Sequence, residues 1–165
     1  MQYLAETDLM TSITNRGTGE KLVKDLLARK VSGLFCLIDC DNFKSINDKY
    51  GHNIVDKVLV ALAKCLKKTC KETDVVFRLG GDEFAVYSTD YLTEMQAQQF
   101  FEKLFDNVDK LKIPKYDELK ICISVGAALF VGGKASFDQL YKQADIAMYE
   151  SKKIEGSKAT IFQNN

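Results

Sequence analysis

Two short stretches carry residues able to do chemistry. Arg78-Leu79-Gly80-Gly81-Asp82-Glu83-Phe84 sets two carboxylates directly after a glycine pair, and Asp39-Cys40-Asp41 sets two more at the end of an apolar run. Carboxylate oxygens are ligands for hard cations such as Mg²⁺. A glycine pair leaves the main chain bare, so a polyanion and its cations can approach it closely. Taken alone, Asp82-Glu83 also fits a solvated turn, because short polar residues dominate turns for purely local reasons. The second acidic element is what favours a site for a phosphate-bearing ligand.

Asp39 and Asp41 are two residues apart, so in an extended segment both point to the same side. After Asp41 the sequence Asn42-Phe43-Lys44-Ser45-Ile46-Asn47-Asp48 has the form of a short helix. Its first amides, at Asn42, Phe43 and Lys44, would lack intrahelical partners and would sit at the positive end of the helix dipole. Oxygen ligands and phosphate-binding amides thus coincide within a few residues. The competing reading is that Asp41 caps the helix and Asp39 is a solvated strand end.

The surrounding elements must bring these stretches together. Val75-Val76-Phe77 and Phe84-Ala85-Val86-Tyr87 are strand-forming runs on either side of the acidic motif, which predicts a hairpin turning at Gly80-Gly81. Leu34 to Ile38 is a continuous apolar run, as expected of a central strand covered on both faces. Residues 1 to 16 read as a helical stub ending in a polar, turn-rich stretch from Asp8 to Arg16. Asn15 is placed to cap a following helix whose apolar face is Leu22, Val23, Leu26 and Leu27. Tyr50 to Asn53 reads as a loop, with His52 a structural hydrogen-bonding residue. Ile54, Val55, Val58, Leu59, Leu62, Cys65 and Leu66 then recur at helical spacing to about Cys70.

Thr93-Glu94-Met95-Gln96 and Ser136-Phe137-Asp138-Gln139 have the form of capping boxes. The first opens a helix burying Ala97, Phe101, Leu104, Phe105, Val108 and Leu111. The second opens one burying Phe137, Leu140, Tyr141, Ala144, Ala147 and Met148. Between them, beyond Pro114, Leu119 to Phe130 alternate as a long strand. A basic cluster, Lys152-Lys153, precedes a last short strand from Ala159 to Phe162. The order is helix, strand, helix pair, hairpin, helix, strand, helix, strand, which points to an α/β sandwich on a mixed sheet.

Composition bounds these readings. The 165 residues, 46% hydrophobic and 28% charged, describe one globular domain with a real core. Lys plus Arg and Asp plus Glu both total 23, so no overall field recruits nucleic acid or an anionic membrane surface. An anionic ligand has to be met locally. The five cysteines (Cys36, Cys40, Cys65, Cys70, Cys122) sit mostly in apolar runs without zinc-site spacing, as suits reduced thiols in the cytoplasm. No apolar run reaches the ~18 residues of a membrane span, and no signal peptide is visible.

On these residues the chain resembles the GGDEF family, the diguanylate cyclases that join two GTP molecules into cyclic di-GMP. Arg78 to Phe84 matches the name-giving motif letter for letter. Asp8-x-Met10-Thr11-x-x-x-Asn15-Arg16 is similar to the family's opening signature, and Asp39 to His52 to its metal and guanine segment. Ser124-Val125-Gly126 and Ala144-Asp145-x-Ala147-Met148-Tyr149-x-x-Lys152 are similar to its closing elements.

The resemblance implies an α+β fold with a ferredoxin-like βαββαβ core and a mixed five-stranded sheet, related to nucleotidyl cyclase catalytic domains, over residues 1–165. It implies that Asp39, the main-chain carbonyl of Cys40, Asp82 and Glu83 hold two Mg²⁺ or Mn²⁺ ions, with Asp39, Asp82 and Glu83 catalytic. The amides of Asn42, Phe43 and Lys44 would cradle the β- and γ-phosphates of GTP, Lys44 and Lys152 would add charge, and Asn47 and Asp56 would read guanine. Each fold would hold one GTP, so catalysis would need a homodimer about a two-fold axis. The chain opens almost on the family's domain edge, which implies an upstream sensory or dimerising segment in a longer parent, through which that parent could be membrane-anchored.

Several positions depart from the family pattern. Ser12 stands where the opening motif has glycine, and Val55, where a glycine precedes the guanine-reading aspartate, is expected to add bulk near the base. Ser157 stands where an arginine is expected to meet the γ-phosphate. The family's Arg-x-x-Asp product-inhibition site becomes Lys71-x-x-Asp74, and lysine lacks the planar fork that pairs with guanine and phosphate. Weak or absent feedback is therefore expected. The rival to an active cyclase is a catalytically degenerate module that binds GTP and reports to a partner. A cyclase making another product is disfavoured by Asp56.

Overall fold

The computed structural model describes residues 6–163. Its elements are α1 (Arg16–Ala28), β1 (Gly33–Cys40), α2 (Phe43–Tyr50), α3 (His52–Thr69), β2 (Val75–Gly80), β3 (Glu83–Ser88), α4 (Glu94–Asp109), β4 (Ile123–Phe130), α5 (Phe137–Ser151) and β5 (Lys158–Ile161). This is the order expected from the sequence. The strands form one five-stranded sheet in the order β2-β3-β1-β4-β5, with β4-β5 parallel and every other pair antiparallel. The βαββαβ core with a mixed five-stranded sheet is therefore present.

β1 is buried at all eight positions because helices cover both faces of the sheet. Its alternate residues Leu34, Cys36, Ile38 and Cys40 pack with α3 and α4, through Val58, Leu62, Phe101 and Leu104 among others. Phe35 and Leu37 point the other way, into a second core with Val23 and Leu27 of α1 and Leu140, Ala144 and Met148 of α5. A Cβ at Gly126 would meet the Ala144 carbonyl oxygen at 2.1 Å, so glycine there is what lets α5 lie directly on β4. That contact carries the end of α5 to the end of β1.

Several boundaries differ from the sequence expectation. The helical part of the stub falls partly on residues 1–5, outside the described residues. The turn-rich stretch after it forms a loop closed by a Thr7–Thr14 bridge. Asn15 caps α1 as expected, its side chain accepting from the Thr18 amide at 3.0 Å, but Leu22 is exposed and Gly19 takes a buried place against Phe77. No four-residue loop separates α2 from α3. Gly51 alone does so, at φ 87°. β4 begins at Ile123 rather than Leu119, although Leu119 and Ile121 are buried: their alternation reports burial without ladder pairing. Phe100 joins the core of α4, while Leu111 lies past that helix's end. Both capping serine and threonine side chains act as expected, Thr93 accepting from the Gln96 amide and Ser136 from the Gln139 amide, each at 3.1 Å. Among the described residues no helix is long and apolar enough to cross a membrane. All five cysteines are free thiols.

Candidate active site

The hairpin turns one residue later than Gly80-Gly81. Arg78 pairs with Phe84 and Gly80 with Glu83, so the strand bulges at Leu79 and the turn proper is Gly81-Asp82. Gly80 at φ 147° and Gly81 at φ 50° hold backbone angles that side chains rarely adopt. Arg78 braces the turn, its Nη2 donating to the Gly81 carbonyl at 2.7 Å and its Nη1 reaching Asp8 Oδ2 at 3.2 Å. Asp8 in turn accepts from the amide and hydroxyl of Thr11. Burial works against the charge on Asp8, but Thr11 and Arg78 outweigh it and hold the carboxyl below its usual range. The opening motif thus serves as a buttress for the hairpin tip.

The braced turn meets the end of β1. Asp39 lies directly opposite Glu83 in the β1–β3 ladder, and the Cys40 amide donates to the Asp82 carbonyl at 3.3 Å. Burial, then a hydrogen bond with Asp39 and the charge of Asp39, pushes the Asp82 carboxyl up to about 7. Asp39 and Asp82, from separate segments of the chain, are thus neighbours at the end of β1, where the Cys40 amide holds the Asp82 carbonyl. Burial also raises Glu83, with Asp39 and then Asp145 adding to it. Lys152, at the C-cap of α5, puts its Nζ 2.6 Å from Asp39 Oδ2. Burial opposes the charge on Lys152, but Asp39, Asp41 and Asp82 more than offset it and raise its pKa.

The donor set suits a hard divalent cation. Asp39 Oδ1 is buried and has no hydrogen-bond partner, and the neighbouring carboxyl keeps its proton far above the usual aspartate range. The Cys40 thiol is pushed up to about 12 by burial and the surrounding aspartates, so only the main chain of that residue is an apt ligand. Among the described residues no three carboxylate, thiol or imidazole side chains form a ready cation cage. One or two carboxylates completed by phosphate oxygens is the usual arrangement for Mg²⁺.

Asp41 does not cap α2. Its Oδ1 accepts from Ser124 Oγ at 2.6 Å, and its amide donates to the Cys122 carbonyl at 2.9 Å. α2 starts from Asn42, held at φ 57°, with no side-chain cap. The first amides of α2 are thus left without the cap that the competing reading assigned to Asp41. Asp41, Asn42, Cys122 and Lys152 to Gly156 line a polar cleft of about 570 Å³ beside the carboxylates.

The other expected residues are distributed unevenly. Phe43 packs partly against the core, Lys44 is exposed, and Asn47 lies one turn on along α2. Asp56 is exposed on the first turns of α3 and lines a separate groove with Val60, Lys64 and Pro114, not the polar cleft. Val55 is buried in the core, so its bulk is directed inward. Ser157 accepts from the Ile123 amide at 3.1 Å, a fold contact between the chain before β5 and β4. Lys71 and Asp74 stand apart from the cleft. The Asp74 carboxylate accepts from the Lys71 amide at 2.9 Å, while Lys71 Nζ pairs with Asp90 at 2.9 Å. The sequence reading gave Ser124 and Asp145 no role, although a serine on a strand face otherwise filled by small and apolar residues was a visible signal.

A family model described as "Diguanylate cyclase, GGDEF domain" matches residues 5–158. The chain is 32% identical over 163 residues to the probable diguanylate cyclase DgcT of Escherichia coli K12, which covers 96% of this chain and 36% of that protein. It is similar to SiaD of Pseudomonas aeruginosa, solved in complex with its activator SiaC, at a TM-score of 0.87 and 27% identity, covering 97% of this chain and 64% of that one. The GGDEF domain of YfiN (TpbB) from the same organism gives a TM-score of 0.85 at 28% identity, covering 95% of this chain and 94% of that one. The chain spans less than half the length of these curated relatives.

Proposed function

The chain belongs to the GGDEF domain family, and from that membership we propose that it is a diguanylate cyclase, condensing two GTP molecules into cyclic di-GMP and pyrophosphate. The observation that carries the proposal is the convergence of Asp39, Asp82 and Glu83 from two chain segments, through the Asp39–Glu83 ladder pair and the Cys40 amide on the Asp82 carbonyl, beside a buried Asp39 oxygen without a partner. Carboxylates are brought together in this way at a cost, which a bound divalent cation offsets.

Asp39, the Cys40 carbonyl, Asp82 and Glu83 would hold two Mg²⁺ or Mn²⁺ ions. Bound there, the ions supply Lewis acidity that lowers the pKa of a ribose 3′-hydroxyl and stabilises charge on the α-phosphate and the leaving pyrophosphate. Glu83, directly opposite Asp39 in the ladder, is suited to hold the same ions. The uncapped amides of Asn42, Phe43 and Lys44 bind the β- and γ-phosphates at the positive end of α2. Lys44 and Lys152 add point charges. Asn47 and Asp56 read the guanine edge, Asp56 accepting from N1–H and the exocyclic amine that adenine does not present. One domain holds one GTP, so two copies face each other about a two-fold axis, in keeping with the symmetry of the product.

A specific observation favours the rival, a GTP-binding module without turnover. Ser157 is engaged with β4, and Lys153 is paired with Glu150 at 3.0 Å, so neither directly replaces the arginine expected at the γ-phosphate. The deciding experiment fuses the domain to a dimerising coiled coil, supplies GTP and Mg²⁺, and separates the nucleotides by chromatography. Cyclic di-GMP, absent when Asp39 or Glu83 is replaced by alanine, is the outcome expected of a cyclase. GTP bound and returned intact identifies the module.

A further inference from the structure

An aspartate just ahead of a helix ordinarily turns its carboxylate onto the first free amides, as an Asx turn or cap. Asp41 does otherwise. Its Oδ1 is held by Ser124 Oγ at 2.6 Å and its amide by the Cys122 carbonyl at 2.9 Å, so side chain and main chain are both tied to the strand-β4 side. Ser124 is wholly buried and lies directly across from Asp39 in the β1–β4 ladder. The common use of a buried serine is seen at Ser151, which donates to the Val125 carbonyl at 2.7 Å. At Ser124 the hydroxyl is spent on a carboxylate instead.

We propose that Ser124 is a positioning residue for the substrate's polyphosphate: by holding Asp41 against β4, it keeps a carboxylate off the leading amides of α2. This rests on the reading of those amides as the triphosphate cradle. The positive end of a helix takes one anion at a time, and a carboxylate on the same short stretch of chain has a large advantage over a ligand in solution. Without the Ser124 hydroxyl, Asp41 is released to fold back onto the Phe43 and Lys44 amides and compete with phosphate oxygens. The chemistry step itself is untouched, so the effect falls on affinity and KM, not on kcat.

Amide spectra of the ligand-free protein test the first half, and GTP calorimetry with steady-state kinetics tests the second. In Ser124→Ala the Phe43 and Lys44 amide protons move downfield, GTP binds about tenfold more weakly, the equivalent of one cap interaction, and kcat stays within about twofold. Adding Asp41→Ala to that variant returns both the shifts and the affinity, whereas Ser124→Thr, which keeps the hydroxyl, behaves as wild type. Unmoved amides in Ser124→Ala, or no recovery in the double variant, overturns the proposal. Should Ser124→Ala fail to fold, Asp41→Ala alone decides: its Phe43 and Lys44 resonances stay in place if the native carboxylate is off those amides, and their movement refutes it. Amides that behave as stated in a protein that binds no GTP would sink the nucleotide reading and leave the positioning intact.

Discussion

Lys152 Nζ lies 2.6 Å from Asp39 Oδ2, tying the end of α5 to the end of β1. The aspartate side chain is 12% exposed and the lysine 43%, so the pair is half in water and its worth is discounted accordingly. Lys152→Ala leaves a buried carboxylate without its counter-charge and is expected to cost about 1 kcal/mol in urea denaturation at neutral pH. The cost should shrink in an Asp39→Asn background. An equal cost in both backgrounds would mean that the ion pair is not what Lys152 contributes.

The raised Asp82 carboxyl makes stability depend on pH. Asp82 is pushed up to about 7 in the fold from 3.8, first by burial and then by Asp39. A raised carboxyl means that the folded state binds a proton the unfolded chain has released. The contribution is therefore intact below about pH 4 and is lost as pH rises to about 7. After allowance for partial exposure, it amounts to roughly 1–2 kcal/mol. Denaturation in EDTA across this range should show wild type losing that much relative to Asp82→Asn, and parallel curves would refute the raised Asp82 carboxyl. Saturating Mg²⁺ should flatten the difference.

Ser12 occupies φ 65°, in the left-handed region that glycine enters without Cβ strain. Its amide donates to the Asp8 carbonyl at 2.8 Å, so the angle is built into the loop that buttresses Arg78. Ser12→Gly is expected to stabilise the protein by about 0.5–1 kcal/mol, the relieved strain exceeding glycine's entropy cost. A loss of stability would show that the Ser12 side chain has a compensating role.

In the Lys71-x-x-Asp74 segment Asp74 Oδ2 and Lys71 Nζ are engaged internally, while Asp74 Oδ1 is buried without a partner. Asp74 is 7% exposed with Oδ2 on the Lys71 amide, and Lys71 Nζ is paired with Asp90. Cyclic di-GMP is accordingly expected to bind there weakly or not at all, and initial rates should be unchanged by added product at concentrations well below KM competition. Tight binding by calorimetry on nucleotide-free protein, lost in Asp74→Ala, would contradict this.

The fold was legible wherever periodicity and local chemistry decide structure. The continuous run of β1, the Asn15, Thr93 and Ser136 caps, and the order of elements follow from residues close in sequence. Boundaries failed where burial and pairing part company, as at Leu119 and Ile121, or where a bulge moved the turn from Gly80-Gly81 to Gly81-Asp82. In the site, the residue types were visible but the pairings were not. Ser124 with Asp41 and Lys152 with Asp39 join distant segments through side chains, and no local pattern encodes such a contact.

The central claim is that Asp39, at the end of a strand, and Asp82, in a hairpin turn, act on the same metal ion beside a guanine nucleotide. Mn²⁺ binding in the presence of GTP, followed by electron paramagnetic resonance on wild type, Asp39→Ala and Asp82→Ala, addresses it most directly. The account predicts that each replacement alone weakens Mn²⁺ by more than about tenfold, with amide spectra showing the fold retained. Either variant holding Mn²⁺ and GTP as tightly as wild type would contradict it.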